Sequence, residues 1–176
     1  MQESRNRISA LEAVGYGDSE TPSSRVVIVG CGNLLRGDDA VGPVLIRELL
    51  SLDLPSDVTL VDGGTAGMDV AFRMRGADFA ILVDASTTGS EPGTIFRIPG
   101  SEVEQLPSLD AIHSHAFRWD HSLALAHWLL GDQFPKDVVV YLIEAENLMI
   151  GDPISSKVRL AMDQVSKMIE LEVQAK

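Results

Sequence analysis

The chain has 176 residues, 45% of them hydrophobic, and its 26 acidic and 14 basic side chains give a formal net charge of -12. This length suits a single domain that needs neither disulfides nor a structural metal, and the one cysteine cannot form an internal disulfide. The excess of acidic side chains argues against nucleic-acid and membrane partners. The sequence shows no secretory signal and no apolar run long enough to span a bilayer, so we expect a cytoplasmic protein. We also expect a monomer.

Short apolar runs rich in β-branched residues alternate with helical periods along the chain. Residues 1–24 are polar and lack such periods, so we interpret them as a flexible N-terminal extension before a domain over 25–176. The patterns predict strands over 26–29, 58–61, 79–83, 93–98 and 137–143, and helices over 41–49, 68–74, 117–130 and 158–169. This alternation predicts an α/β three-layer sandwich, in which a five-stranded, mostly parallel sheet carries helices on both faces. The strand over 93–98 is the expected antiparallel member, and 99–114 is expected to be a loop.

A polar, glycine-rich loop over 30–43 follows the first predicted strand, where ligands bind in open α/β sheets. It is not a phosphate loop. A dinucleotide fingerprint would need glycine in place of Leu35, and a P-loop would need lysine where Asp38 and Asp39 stand, so we expect no nucleotide cofactor. Two carboxylates at a helix N-terminus would also repel a phosphate. Helix capping would explain one of these two aspartates but not both.

Acidic residues also follow the second and third predicted strands. The run Asp62-Gly63-Gly64-Thr65 fits a tight turn in which the aspartate bonds to local backbone. Asp84 directly follows a buried apolar run and is a poor strand residue unless it points into a site or caps the next segment of the chain. It is therefore the more informative of the two acids.

Histidines cluster around the helix predicted over 117–130. His121 and His127 lie inside it and are interpreted as surface or packing residues. His113 and His115 come just before it, where either could be a helix N-terminal residue, a metal ligand or an acid/base group. Two carboxylates and one imidazole suit zinc or nickel, but their intervals match no compact metal motif, so the fold would have to assemble such a site.

Four stretches resemble, in this order, the maturation endopeptidases of nickel-iron hydrogenases. They are residues 26–43, 61–69, 81–86 and 92–98, and the histidine-containing start of the helix predicted over 117–130 also matches. The resemblance extends over about residues 25–172. The combination of G-x-G-N-x-L-x-x-D-D-x-x-G, D-G-G-T and a D-A after a strand is specific, although each part is weak. The resemblance implies a twisted five-stranded sheet between helices. It also implies an activity, which is removal of a short C-terminal extension from the hydrogenase large-subunit precursor after nickel insertion.

The resemblance implies that the metal ligands are Asp39, Asp84 and His115. His115 is preferred to His113 because it keeps the family's interval to Leu123 in the helix. The loop residues expected around the substrate are Gly32, Asn33, Asp62, Gly63, Gly64 and Thr65. The chain departs from the family at its N-terminal extension and where Ala145 follows Glu144, since many relatives have proline there.

The resemblance therefore implies an aspartic-type, metal-dependent peptidase whose partner is the hydrogenase large-subunit precursor. Nickel would be supplied with the substrate, held by precursor thiolates, and either Asp38 or Asp39 would activate a water as general base. Neighbouring acids should raise the pKa of the Cys31 thiol, which argues against a thiolate mechanism. The alternatives are a non-catalytic nickel-binding or metallochaperone module and, ranked lower, a different peptidase on a similar scaffold, such as a spore-type protease.

Overall fold

The computed structural model describes residues 26–65, 67–103 and 119–176, without the side chains at 67–69, 101, 103, 119–122 and 125. The proposed extension over 1–24, His113 and His115 lie outside the described residues, as do most of the expected loop over 99–114 and the side chain of His121. No helix in the described part of the chain is long and apolar enough to cross a bilayer.

Five strands and five α-helices make up the described domain. In chain order they are β1 (Val26–Cys31), α1 (Val41–Leu49), β2 (Val58–Gly64), α2 (Gly67–Arg73), β3 (Phe79–Ser86), β4 (Ile95–Pro99), α3 (Gly100–Val103), α4 (Trp119–Leu130), β5 (Asp137–Glu144) and α5 (Ser156–Gln174). All five predicted strands and the four predicted helices are confirmed. The expectation of a continuous loop over 99–114 is wrong at its start, because α3 forms one helical turn directly after β4.

The five strands form one sheet in the order β2-β1-β3-β5-β4. The first four are parallel, and β4 pairs antiparallel with β5, as its position after a cluster of turn residues predicted. The central strands β1, β3 and β5 are buried almost throughout. This burial on both faces is why they appear in the sequence as continuous apolar runs.

Helices cover both faces of the sheet, which confirms the three-layer α/β fold. Alternate strand residues such as Ile28 and Ile81 pack against α1 and α5, whereas their neighbours Val29 and Leu82 pack against α2 and α4. The helical period in the sequence predicts an apolar face of α5 made of Val158, Ala161, Met162, Val165, Met168 and Ile169. This face is confirmed, since all six side chains are buried apart from the partly buried Met168.

The sequence pattern predicts Leu125, Trp128 and Leu129 as the apolar positions of α4, and this prediction is wrong for Trp128 and Leu129. Trp128 and Leu129 are exposed, and the side chains that reach the core are Leu123, Ala126 and Leu130. The helix is apolar on more than one side, so its sequence does not fix which side faces the sheet.

Candidate active site

The polar residues of interest collect at the carboxyl end of the parallel strands. In the sheet register Gly30 of β1 pairs with Asp62 of β2 and with Val83 of β3, so Asp62 and Asp84 lie near the carboxyl ends of the two strands that flank β1. Glu144 ends β5 and pairs with Ser86 of β3. The sheet therefore brings together acids that are far apart in the sequence.

The glycines of the first loop allow close packing of α1 on β1. A Cβ added to Gly42 would lie 2.2 Å from the Cys31 carbonyl oxygen and 2.7 Å from that of Val83. A Cβ added to Gly30 would lie 2.2 Å from the Gly42 carbonyl oxygen. Only glycine permits this backbone-to-backbone contact, which holds the start of α1 against the ends of β1 and β3. The glycine spacing that superficially resembles a phosphate loop thus has a packing cause.

Asp38 is fully buried and joins the first loop to the segment that precedes α5. Its Oδ2 accepts the backbone N–H groups of Glu146 at 2.8 Å and Asn147 at 2.9 Å and the Ser155 hydroxyl at 3.1 Å, while Oδ1 accepts the Ser155 N–H at 2.6 Å. No side-chain hydrogen bond caps α1 or the 3-10 turn Gly37–Ala40 before it, so the interpretation of these aspartates as caps of α1 is wrong. The Asp38 carboxylate is occupied by four donors.

Asp39 has a different environment from that of its neighbour. It is only partly buried, at the base of a small loop closed by hydrogen bonds from Asn33 N–H to the Asp39 carbonyl and from Asp39 N–H to the Arg36 carbonyl, both 3.0 Å. Burial raises the pKa of the Asp39 carboxyl above its usual range, and the positive charge of Arg36 and a hydrogen bond from the Asn33 backbone only partly oppose this. A carboxylate that is accessible and more basic than usual is suited to proton transfer.

Asp84 is buried at the end of β3, where its Oδ1 accepts the Ala85 N–H at 2.8 Å. Leu82, two residues earlier, packs in the core cluster that contains Leu123 of α4. Because side chains alternate along a strand, Asp84 points to the same face of the sheet as α4. His115 itself lies outside the described residues, a few positions before α4 in the sequence.

The residues expected around the substrate lie in two loops that contact each other. Gly32 N–H donates to the Gly64 carbonyl at 2.9 Å, which ties the loop after β1 to the end of β2. Asp62 is exposed, and its Oδ1 accepts the Gly64 N–H at 3.2 Å, as expected for a tight turn. Its Oδ2 lies 3.8 Å from Nη2 of Arg47. The remaining members are exposed Thr65, buried Gly63 and half-buried Asn33, whose Oδ1 accepts the Leu35 N–H at 3.0 Å.

Glu144 is a buried carboxylate at the end of β5, and the sequence singles it out only because alanine follows it where many relatives have proline. It accepts the Ser86 hydroxyl at 2.9 Å, the Thr88 N–H and hydroxyl at 3.0 Å each, and the Gly89 N–H at 2.7 Å. Burial alone would raise its pKa, but these hydrogen bonds together outweigh burial and lower the pKa of Glu144. Its role is to fix the loop after β3. A lone acid ending the apolar run of β5 was the available signal.

Cys31, the last residue of β1, is buried below this edge. Burial, followed by the negative charges of Asp84 and Asp62, raises the pKa of its thiol far above the usual range. The sequence prediction of a raised pKa is confirmed, although the contributing acids come from neighbouring strands rather than from the loop itself. The thiol stays protonated at neutral pH and is a poor nucleophile.

Within the part of the chain that the structure describes, no three side chains of His, Cys, Asp or Glu are close enough to form a metal site. Of the three residues predicted as metal ligands, Asp39 and Asp84 are described, and they lie at the same edge of the sheet. Carboxylate oxygens together with an imidazole nitrogen form a donor set that accepts divalent nickel or zinc.

Comparison with known proteins connects this arrangement to one family. The family model for the hydrogenase maturation protease HycI matches residues 44–172. The chain is 32% identical over 155 residues to a Methanocaldococcus jannaschii protein that bears the name of a hydrogenase maturation protease, covering 84% of this chain and 96% of that protein. It is 29% identical over 160 residues to hydrogenase expression/formation protein HupD of Bradyrhizobium diazoefficiens, covering 89% of this chain and 80% of that protein.

A solved structure gives the same result for the fold. The hydrogenase maturating endopeptidase HybD from E. coli superposes with a TM-score of 0.74 at 25% identity, over 86% of this chain and 93% of that chain. The sheet order, the polar strand ends and these matches together lead to one assignment: the chain belongs to the hydrogenase maturation protease family of endopeptidases.

Proposed function

We propose that this protein cleaves the C-terminal extension from a nickel-loaded large-subunit precursor of a nickel-iron hydrogenase and that it recognises the bound nickel. The observation that carries the proposal is the contact between the 3-10 turn that holds Asp39 and strand β3, which holds Asp84, with Asp39 accessible and its pKa raised. Family membership supports the peptidase activity. The donor chemistry of the two carboxylates and His115 supports the recognition of nickel.

Nickel enters this proposal as part of the substrate, held by thiolates of the precursor. Asp39, Asp84 and His115 would complete its coordination from the protease side and so place the scissile peptide bond at the strand ends. A precursor without nickel would lack this attachment point. The arrangement therefore makes cleavage conditional on nickel insertion.

The structure favours Asp39 over Asp38 as the general base. Asp38 is fully buried and its carboxylate already accepts four hydrogen bonds, so the attacking water cannot reach it from solvent. One Asp39 carboxylate oxygen would contact the nickel, and the other would take a proton from water. The resulting hydroxide attacks the scissile carbonyl carbon, and the carbon–nitrogen bond breaks as Asp39 passes this proton to the leaving amine. Asp38 acts as a positioning residue, because it fixes the 3-10 turn that carries Asp39.

The test is incubation of the purified protein with its precursor in nickel-loaded and nickel-free forms, followed by mass spectrometry of the precursor. We expect loss of a short C-terminal peptide from the loaded form only. Asp39→Asn should abolish this loss. Asp163→Asn, at an exposed aspartate on α5, is the matched control and should retain it.

Other outcomes separate the parts of the proposal. Equal cleavage of both precursor forms would leave a protease and overturn nickel recognition. Association with the precursor without cleavage of either form would overturn the peptidase assignment and favour a nickel-binding or metallochaperone module.

A further inference from the structure

Two loops beside the candidate active site expose a cluster of large hydrophobic side chains. We define the docking patch as Leu34 and Leu35 in the loop after β1, and Met149 and Ile150 in the loop after β5. Leu35 is 69% exposed and Ile150 is 79% exposed. Four of the eleven exposed large hydrophobic residues in the described part of the chain are in this patch. Single exposed hydrophobic residues are ordinary, but a cluster of them marks an interaction surface.

Backbone hydrogen bonds hold the two loops of the patch against each other. Gly151 N–H donates to the Leu35 carbonyl at 2.9 Å, and Asp38 N–H donates to the Asn147 carbonyl at 2.9 Å. A Cβ added to Gly37, which has a φ of +50°, would lie 2.5 Å from the Asn147 carbonyl oxygen, so this contact requires glycine. The apolar side chains are thus presented by backbone in direct contact.

Each loop is also closed on itself, which keeps the apolar residues at its outer end. Arg36 N–H donates to the Asn33 carbonyl at 3.1 Å, forming a turn with Leu34 and Leu35 at its tip. In the other loop the Asn147 side chain accepts the Met149 N–H at 2.8 Å and donates to Asp152. The patch is preorganised for binding, so little ordering of these loops opposes association.

Leu34 and Leu35 of the docking patch and Asp39 are parts of the same hydrogen-bonded loop after β1. The loop that carries Leu34 and Leu35 at its tip closes at its base on Asp39, through the hydrogen bond from Asn33 N–H to the Asp39 carbonyl at 3.0 Å. A polypeptide whose scissile bond is held at Asp39 therefore passes directly beside the patch. A second copy of this chain bound there would cover the approach to Asp39.

We infer that the docking patch binds an apolar segment of the precursor polypeptide next to the cleavage site, which rests on the proposed function. The patch sets affinity for the protein substrate, whereas Asp39 performs the chemistry. Because the contact is apolar, its strength depends little on ionic strength, unlike that of a charged interface.

The test compares two double variants that each add two positive charges at exposed positions. Leu35→Lys/Ile150→Lys changes the docking patch. Leu50→Lys/Leu171→Lys changes residues elsewhere that are both 68% exposed, close to the 69% of Leu35. The Kd for the nickel-loaded precursor is measured by calorimetry, and KM and kcat are measured from the cleavage rate. A milder Leu35→Ala/Ile150→Ala variant provides the same readouts without added charge.

We expect the patch variant to raise Kd and KM at least about tenfold with little change in kcat, since a few residues carry most of the binding free energy of a protein interface and a lysine charge cannot be buried there without cost. The control variant should match the wild type. Unchanged Kd and KM in both patch variants would overturn the inference. A wild-type dimer that dissociates in the patch variant would also overturn it, by assigning the patch to a second copy.

The Kd also separates this inference from the proposed function. If the wild type binds the precursor without cutting it, the proposed function fails and a loss of binding in the patch variant still supports the docking patch. If the wild type cuts the precursor and the patch variant cuts it with the same KM, only the docking patch fails. If the wild type neither binds nor cuts, both are overturned.

Discussion

The backbone N–H of Asp38 donates to the Asn147 carbonyl at 2.9 Å, and the backbone N–H of Asn147 donates back to the Asp38 carboxylate at 2.9 Å. The two residues are 109 positions apart in the sequence. This reciprocal pair explains why two adjacent aspartates have different roles. Asp38 fixes the backbone of the loop, and its neighbour Asp39 is left accessible at the strand ends.

Replacing Asp38 with asparagine should lower the free energy of unfolding by about 2–4 kcal/mol. An amide NH₂ in place of one carboxylate oxygen would face backbone N–H donors, which leaves buried donors unsatisfied. Urea unfolding of Asp38→Asn measures the loss. Asp163→Asn is the control, because an exposed surface substitution usually changes stability by less than about 0.5 kcal/mol. Equal stability of the two variants would contradict the structural role of Asp38.

Asp39→Asn should abolish precursor processing and leave the fold intact. Because burial raises the pKa of Asp39, the folded state holds this proton more tightly than the unfolded state. Wild-type stability should therefore fall as the pH rises through the pKa of the folded state, and Asp39→Asn should lack this fall. Thermal unfolding at several pH values, paired with the cleavage assay, checks both points. Processing at the wild-type rate would remove Asp39 from the mechanism.

The pH profile of processing provides a separate check on the same residue. A general base must be ionised, so kcat/KM should decline on the acid side with an apparent pKa above the ordinary aspartate value of about 3.9. An acid limb at or below that value would show that another group is the base. The profile is measured with the nickel-loaded precursor across the range in which the folded protein is stable.

Glu144→Gln should change how the free energy of unfolding depends on pH in the acid range. The lowered pKa of Glu144 contributes stability that is present above the unfolded value of about 4.3 and is lost as the pH falls through the folded value. The variant should lose about 1–3 kcal/mol near neutral pH, because buried donors lose a carboxylate oxygen. Its stability should also vary less than the wild type's at acid pH. Glu91→Gln, at a side chain 81% exposed, should follow the wild-type curve in urea titrations.

Cys31 should resist alkylation in the native state. Its thiol is buried and its pKa is raised by burial and by the charges of Asp84 and Asp62, so iodoacetamide at mildly alkaline pH should label it only after denaturation. Mass spectrometry of protein treated with and without urea measures the difference. Cys31→Ala should keep precursor processing. Loss of processing in a folded Cys31→Ala variant would reopen a role for the thiol.

The sequence predicts the sheet well because its information is local. Each central strand is an apolar run bounded by turn residues, and β4 is set apart by Gly89, Pro92 and Gly93 before it. These patterns predict strand positions, the antiparallel edge and both helical layers. The prediction of which side of α4 is buried is wrong because several sides of this helix are apolar. Only packing against the sheet selects Leu123 for the core.

The environment of Asp38 cannot be read from its own segment. Its partners Glu146, Asn147 and Ser155 lie more than 100 residues away, and three of the four donors are backbone N–H groups, which any residue type except proline can supply. The sequence therefore predicts two acids at a strand end but cannot separate the buried one from the accessible one. The placement of Asp84 is predictable, because an acid after an apolar strand ends at the edge where ligands bind.

The contacts of Asp38 also determine when the enzyme becomes competent during synthesis. The loop that carries Asp39 forms near the start of the domain, but the donors that fix it extend to Ser155, 117 residues later. A nascent chain must therefore expose nearly the whole domain beyond the ribosome before the loop reaches its final conformation. Chains that terminate before Ser155 would contain both aspartates of the first loop but lack donors that hold Asp38 in place.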